Sequence, residues 1–85
     1  MVTNIFRLPT VKQMTGRSRS AVYKDIAAGL FTKPVSIGAR AVGWPANEVA
    51  TINAARIAGK SPAEIQELVK ALEAARKELG KGGLA

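Results

Sequence analysis

Apolar residues recur three or four apart in four stretches of this chain and alternate in a fifth. Leu8, Val11 and Met14 form the first series, which predicts a short helix with one apolar face. Pro9 suits its first turn, where a missing N–H costs little, and Gly16 is placed to end it. Ala21, Val22 and Ile26, with Ala27 beside them, predict a second helix that stops at Gly29. Ser18 is its expected N-cap, because a serine hydroxyl accepts an orphan backbone N–H. Two short helices joined at a glycine make a helix-turn-helix.

The pattern then changes. Pro34 excludes a helix interior, and Val35 and Ile37 alternate with Ser36 as a strand does. Gly38–Arg40 reads as a tight turn and "AVGW" as the returning strand, so the segment predicts a β-hairpin with Arg40 at or just past its tip. Pro45 opens a third helix whose apolar side is Val49, Ile52 and Ile57, ending at Gly59. "SPAE" then places Ser61, Pro62 and Glu64 as a capping box. The last helix runs to Leu79, with Ile65, Leu68, Leu72, Ala75 and Leu79 near a heptad seam. The fold class expected is mainly α with a small β-hairpin: a winged helix-turn-helix over residues 5–59, a C-terminal amphipathic helix over 60–80, and a flexible tail at 81–85.

Charge adds a direction to this outline. The 85 residues carry a formal charge of +7. Seven basic residues face Asp25 alone in residues 1–44, whereas six basic residues meet five acidic ones in residues 45–85. A positive field confined to one half suggests a polyanion, most often nucleic acid. The chain has no Cys and no His. Thiol and zinc chemistry and the usual neutral-pH general base are therefore missing. With no paired carboxylates in the basic half and no Walker-type loop, an enzyme is not expected, nor is a metal or a cofactor. RNA binding lacks its aromatic-studded sheet or GXXG loop. No stretch approaches a membrane span and no signal peptide is visible, so a cytoplasmic protein is expected.

The segment "FRLPTVKQMTGRSRSAVYKDIAAGLFTKPVSIGARAVGWPANEV", Phe6 to Val49, resembles the AlpA family of phage and genomic-island regulators. The resemblance rests on "RLP-V", "TG-SRS-VY" and "F-KPV-IG-RAVGWP--EV" in that order. It implies a compact MerR-like winged-helix protein, related to phage excisionases. It implies sequence-specific binding of double-stranded DNA that switches transcription, for example of an integrase gene, or assists excision. This chain departs from the family at Arg17, where an apolar residue is usual, and at Thr32, where proline is frequent.

A recognition helix meets the major groove through its N-terminal residues. Arg17, Ser18, Arg19, Ser20, Tyr23 and Lys24 are therefore the candidate contacts of the second helix. Arg19 is the candidate base reader, since a guanidinium pairs bidentately with guanine. Ser18 doubles as the cap, and Lys24 suits phosphate. Lys33, Gly38 and Arg40 are the candidate wing contacts, directed at the backbone or a narrow minor groove. Phe31 and Trp44 flank the hairpin and belong to the core. The seam of Ile65, Leu68, Leu72 and Leu79 folds back, pairs with a second copy, or holds a partner protein. A homodimer or cooperative homo-oligomer on DNA is the favoured reading, because linked modules gain effective concentration. Integrase and RNA polymerase are further candidate partners. The competing class is a protein-interaction module acting through this helix, with only non-specific affinity for nucleic acid.

Overall fold

The computed structural model describes residues 4–84, with side chains described through Glu78. Its elements follow in the order β1 (Ile5–Phe6), α1 (Leu8–Thr15), α2 (Arg19–Ala27), β2 (Val35–Gly38), β3 (Ala41–Pro45), α3 (Ala46–Ile57) and α4 (Pro62–Leu84). The fold is mainly α with a small antiparallel sheet, as the hydrophobic pattern predicts.

The first turn depends on Gly16. It adopts φ 70°, a left-handed conformation that costs a side chain-bearing residue energy, and its N–H donates to Lys12 O at 2.9 Å. Two residues later Ser18 caps α2, its Oγ accepting from Ala21 N at 3.2 Å. Val22 and Asp25 are buried on the inner side of α2, and Ile26 packs beside them. Ala27, expected in that stripe, is exposed.

The hairpin has a third strand. β1 pairs antiparallel with β3, aligning Ile5 with Pro45 and Phe6 with Trp44, so the sheet order is β1-β3-β2. Ala46 N extends the ladder by donating to Asn4 O at 2.7 Å. A two-residue strand has no readable period, which is why the sequence pattern misses it. Gly43 makes room for it: a Cβ there would collide with Ile5 Cγ2 and stand 3.1 Å from Phe6 O. β2 pairs with β3 with Val35 opposite Gly43 and Ser36 opposite Val42, and a register irregularity lies between Ser36 and Gly38.

One core joins all of this. Val11, Val22, Phe31, Trp44, Val49, Ile52, Ala55, Ile65 and Val69 form it, with Phe6, Leu8, Ile26, Leu30, Leu68 and Leu72 packed against it. Trp44 is fully buried, and its indole Nε1 donates to Thr32 O at 2.9 Å. Two expected core residues lie outside. Ile57 is 86% exposed, because it follows Ile52 by five residues and so points about 140° away around the helix. Ala55 takes its place. Met14 is 53% exposed at the end of α1, where its carbonyl accepts from Asn53 Nδ2 at 2.9 Å.

α4 begins as its capping box dictates. Ser61 N donates to Glu64 Oε1 at 3.0 Å and Glu64 N donates to Ser61 Oγ at 3.2 Å. The Ser61 backbone N–H holds the Glu64 carboxyl below its usual pKa, with help from the Ser61 hydroxyl and Lys60. The helix does not stop at Leu79. Its backbone continues to Leu84, so the helix includes the first four residues of the expected tail, while Ala85 lies outside the described residues. Glycine costs about 1 kcal/mol in a helix, but each residue added to an existing helix also gains a backbone hydrogen bond. Of the seam residues, Ile65 is buried in the core, and Leu68 and Leu72 pack on it. These three side chains therefore pack toward the chain's own core, with Leu68 and Leu72 half-buried there. Val69, which the seam passed over, is buried with them. Ala75 is exposed, and the Leu79 side chain lies outside the described residues.

Candidate nucleic-acid interface

The inner side of α2 is fixed by Val22 and Asp25, so its outer side must carry Arg19, Ser20, Tyr23 and Lys24. All four are exposed. They stand four residues apart in pairs, which stacks them on one helical face. The N–H groups of Arg19 and Ser20 lie in the first turn, where the helix offers no acceptor of its own and its dipole favours an anion. The Arg19 guanidinium carbon lies 6.0 Å from the centroid of the Tyr23 ring. That ring in turn meets Trp44 edge to face, with centroids 6.3 Å apart and planes at 68°. Phe31 lies on Trp44 at the same 6.3 Å separation. Tyr23 is thus half in the core and half on the surface.

Ser18 and Arg17 stand apart from this group. The Ser18 hydroxyl is engaged by the helix as its cap. Arg17 turns back onto Asp25, with Nε 2.6 Å from Oδ2 and Nη2 donating to Oδ1 at 3.1 Å. Arg56 of α3 reaches the same carboxylate, its Nη2 donating to Oδ2 at 3.2 Å and to Leu30 O at 3.2 Å. The carboxylate of Asp25 therefore ties the turn, α2 and α3 together. The pairing was not visible in the sequence, although Asp25 is the one acidic residue among the first 44. A solitary carboxylate in a basic segment is the signal that could have found it.

On the wing, Lys33 is exposed where the chain approaches β2, and Gly38 and Arg40 lie at the tip. Arg40 holds φ 60°, in the left-handed region. Among the described residues, no carboxylate stands within ion-pair distance of Arg19, Lys24 or Arg40. The two buried carboxylates have other partners. Asp25 holds Arg17 and Arg56, and Glu48 holds Arg76, with Nη2 2.6 Å from Oε1. That contact drives the Arg76 pKa up despite its partial burial. The outcome is a face of free cations and one aromatic ring, with the hydrogen-bond donors of a helix start among them. Donors and cations of this kind are the groups that proteins use on phosphates and base edges. Among the described residues no acidic, Cys or His cluster is arranged to hold a metal ion, and no helix is long and apolar enough to cross a membrane.

A family model described as prophage CP4-57 regulatory protein (AlpA) matches residues 4–57. Uncharacterized protein ORF88 of Enterobacteria phage P4 is 43% identical over 54 residues. That match covers 64% of this chain and 61% of the phage protein. No solved structure matches. Residues 4–57 run from β1 to the end of α3, so the matched region holds every residue of the exposed cationic face and leaves α4 outside it.

Proposed function

The chain belongs to the AlpA family of prophage regulatory proteins, and from that premise we propose that it binds double-stranded DNA in a sequence-specific way to regulate a prophage or genomic island. The observation that carries this reading is the outward face of α2, where Arg19, Ser20, Tyr23 and Lys24 are exposed together at a capped helix start. In this reading α2 enters the major groove. Arg19 reads a base, Tyr23 and Ser20 contact a base or phosphate, and Lys24 grips the backbone. Arg40 and Lys33 reach the adjacent backbone or minor groove. Site occupancy then controls transcription, for example of an integrase gene, or shapes DNA for excision. A second copy at a neighbouring half-site, an integrase and RNA polymerase are the proposed protein partners, and the host cytoplasm is the proposed compartment.

The test is a binding titration on the DNA upstream of the gene and on a scrambled duplex of equal length, at two salt concentrations. Wild type is expected to prefer the first duplex. Arg19→Ala is expected to lose about 1–3 kcal/mol on that duplex and little on the scrambled one. Equal, salt-sensitive binding of both duplexes by wild type would refute the reading and leave a merely basic surface.

A further inference from the structure

Both backbone groups of Lys33 are held by side chains of α4. Its N–H donates to Glu73 Oε2 at 2.9 Å, and its carbonyl accepts from Arg76 Nη2 at 2.7 Å. The same guanidinium forks onto Glu48 of α3, with Nε donating to Oε2 at 2.8 Å and Nη2 to Oε1 at 2.6 Å. Glu48 is 1% exposed. Arg76 is therefore committed, since swinging away would leave a carboxylate buried and unpaired. Glu73 and Arg76 stand one turn apart on α4, so together they hold the two peptide planes that flank the Lys33 Cα.

The place of this grip matters. Lys33 lies between Thr32, whose carbonyl is tied to the Trp44 indole, and Pro34, whose ring fixes the next φ. β2 starts at Val35. Lys33 is thus the last joint before β2, and its torsions set how β2 and the tip it carries leave the core, while β3 is held from the other side by β1. Stability alone is served by Arg76 on Glu48. The two bonds to the Lys33 backbone fix something else, the direction in which the wing leaves the core.

We propose that α4 sets the angle of the wing against α2, with Glu73 and Arg76 as positioning residues for the DNA contacts of Lys33 and Arg40. The part concerning DNA rests on the function proposed above; the part concerning the wing angle does not. Glu73 is the residue to alter, because its loss leaves no buried charge behind. Glu73→Ala removes the acceptor for the Lys33 N–H, whereas Glu73→Gln removes the charge and keeps an acceptor oxygen. Charge alone predicts that both substitutions strengthen DNA binding, since each removes a negative group from a basic protein. A positioning role predicts that Ala weakens it and Gln restores it.

Amide spectra and hydrogen exchange of the free protein come first. Glu73→Ala is expected to speed exchange at the Lys33 amide and to shift the resonances of residues 35–42, and Glu73→Gln to return both. The same variants are then footprinted on a duplex selected from a random pool by the wild-type protein. Ala is expected to lose protection beside the α2 footprint with an affinity drop of about tenfold, comparable to losing one or two phosphate contacts, while Gln stays near wild type. Unmoved wing amides in Glu73→Ala would overturn the proposal, as would equal gains in affinity by Ala and Gln. If the wild type selects no duplex, the DNA-binding reading fails, and the amide spectra still decide the wing angle.

Discussion

Arg17 and Arg19 flank the N-cap of α2, and their guanidinium groups go to different partners. Arg17 closes onto Asp25 through two nitrogens, whereas Arg19 stays outside over the Tyr23 ring. Arg17→Ala is therefore expected to lower stability by about 1–2 kcal/mol, the range for a charge-assisted pair that is partly exposed. It is expected to leave base preference untouched. A melting curve and a binding titration on the same variant check both halves; a changed base preference would return Arg17 to the interface. At this scale the sequence was informative about residue type and weak about partner. Ser18 as cap followed from its place before the apolar series. A charge count cannot say which cation already has a carboxylate, so the pairing of Arg17 with Asp25 is invisible in the sequence. Spacing alone places Ile57 and Met14 on the apolar faces of their helices, yet both are exposed, and in α3 it is Ala55 that is buried.

Among the elements, the wing separates geometry from charge most cleanly. Arg40 occupies the left-handed region at φ 60°, which glycine and asparagine accept with less strain. Arg40→Gly and Arg40→Asn are expected to keep the hairpin, with stability within about 0.5 kcal/mol of wild type. Both are expected to reduce the salt slope of DNA binding by about one unit, the mark of one lost phosphate contact. Thermal melts and titrations across a salt series measure the two effects. The hairpin itself was legible, because Val35, Ile37 and the Gly38–Arg40 turn carry period-two and turn signals. β1 was not, being two residues long and defined by its pairing with β3 rather than by its own pattern. The start of α4 was legible from Ser61 and Glu64. Spacing gives its apolar face a heptad but no partner, since a heptad looks the same whether it meets its own core or another copy.

For the whole molecule, the Glu48–Arg76 pair joins α3, α4 and the approach to the wing across 28 residues of sequence. Removing one member strands the other. Arg76→Ala is expected to cost about 3–5 kcal/mol, a large part of the total stability of a small domain. The double variant Glu48→Met/Arg76→Leu is expected to recover most of that loss, because apolar groups of similar volume carry no desolvation cost. Denaturant titrations of the two variants measure the difference. A sequence reading sees Glu48 four residues before Ile52, on the side that Ile52 buries, but nothing local names Arg76 as its partner. The same distance effect hides the shared core: Ile65 and Val69 complete a cluster begun by Val11 and Val22.

Trp44 is the chain's one tryptophan, and it is sealed from water with its indole N–H already bonded. Its neighbour Tyr23 is 39% exposed on the outer face of α2. The protein thus carries an intrinsic optical gauge, with a shielded emitter inside and a single ring linking it to the surface. A ligand that presses on that ring is expected to alter tryptophan fluorescence without any attached dye, and Tyr23→Ala to silence the response. Emission from the unlabelled protein, followed as duplex DNA is added, would report engagement of this face as it happens.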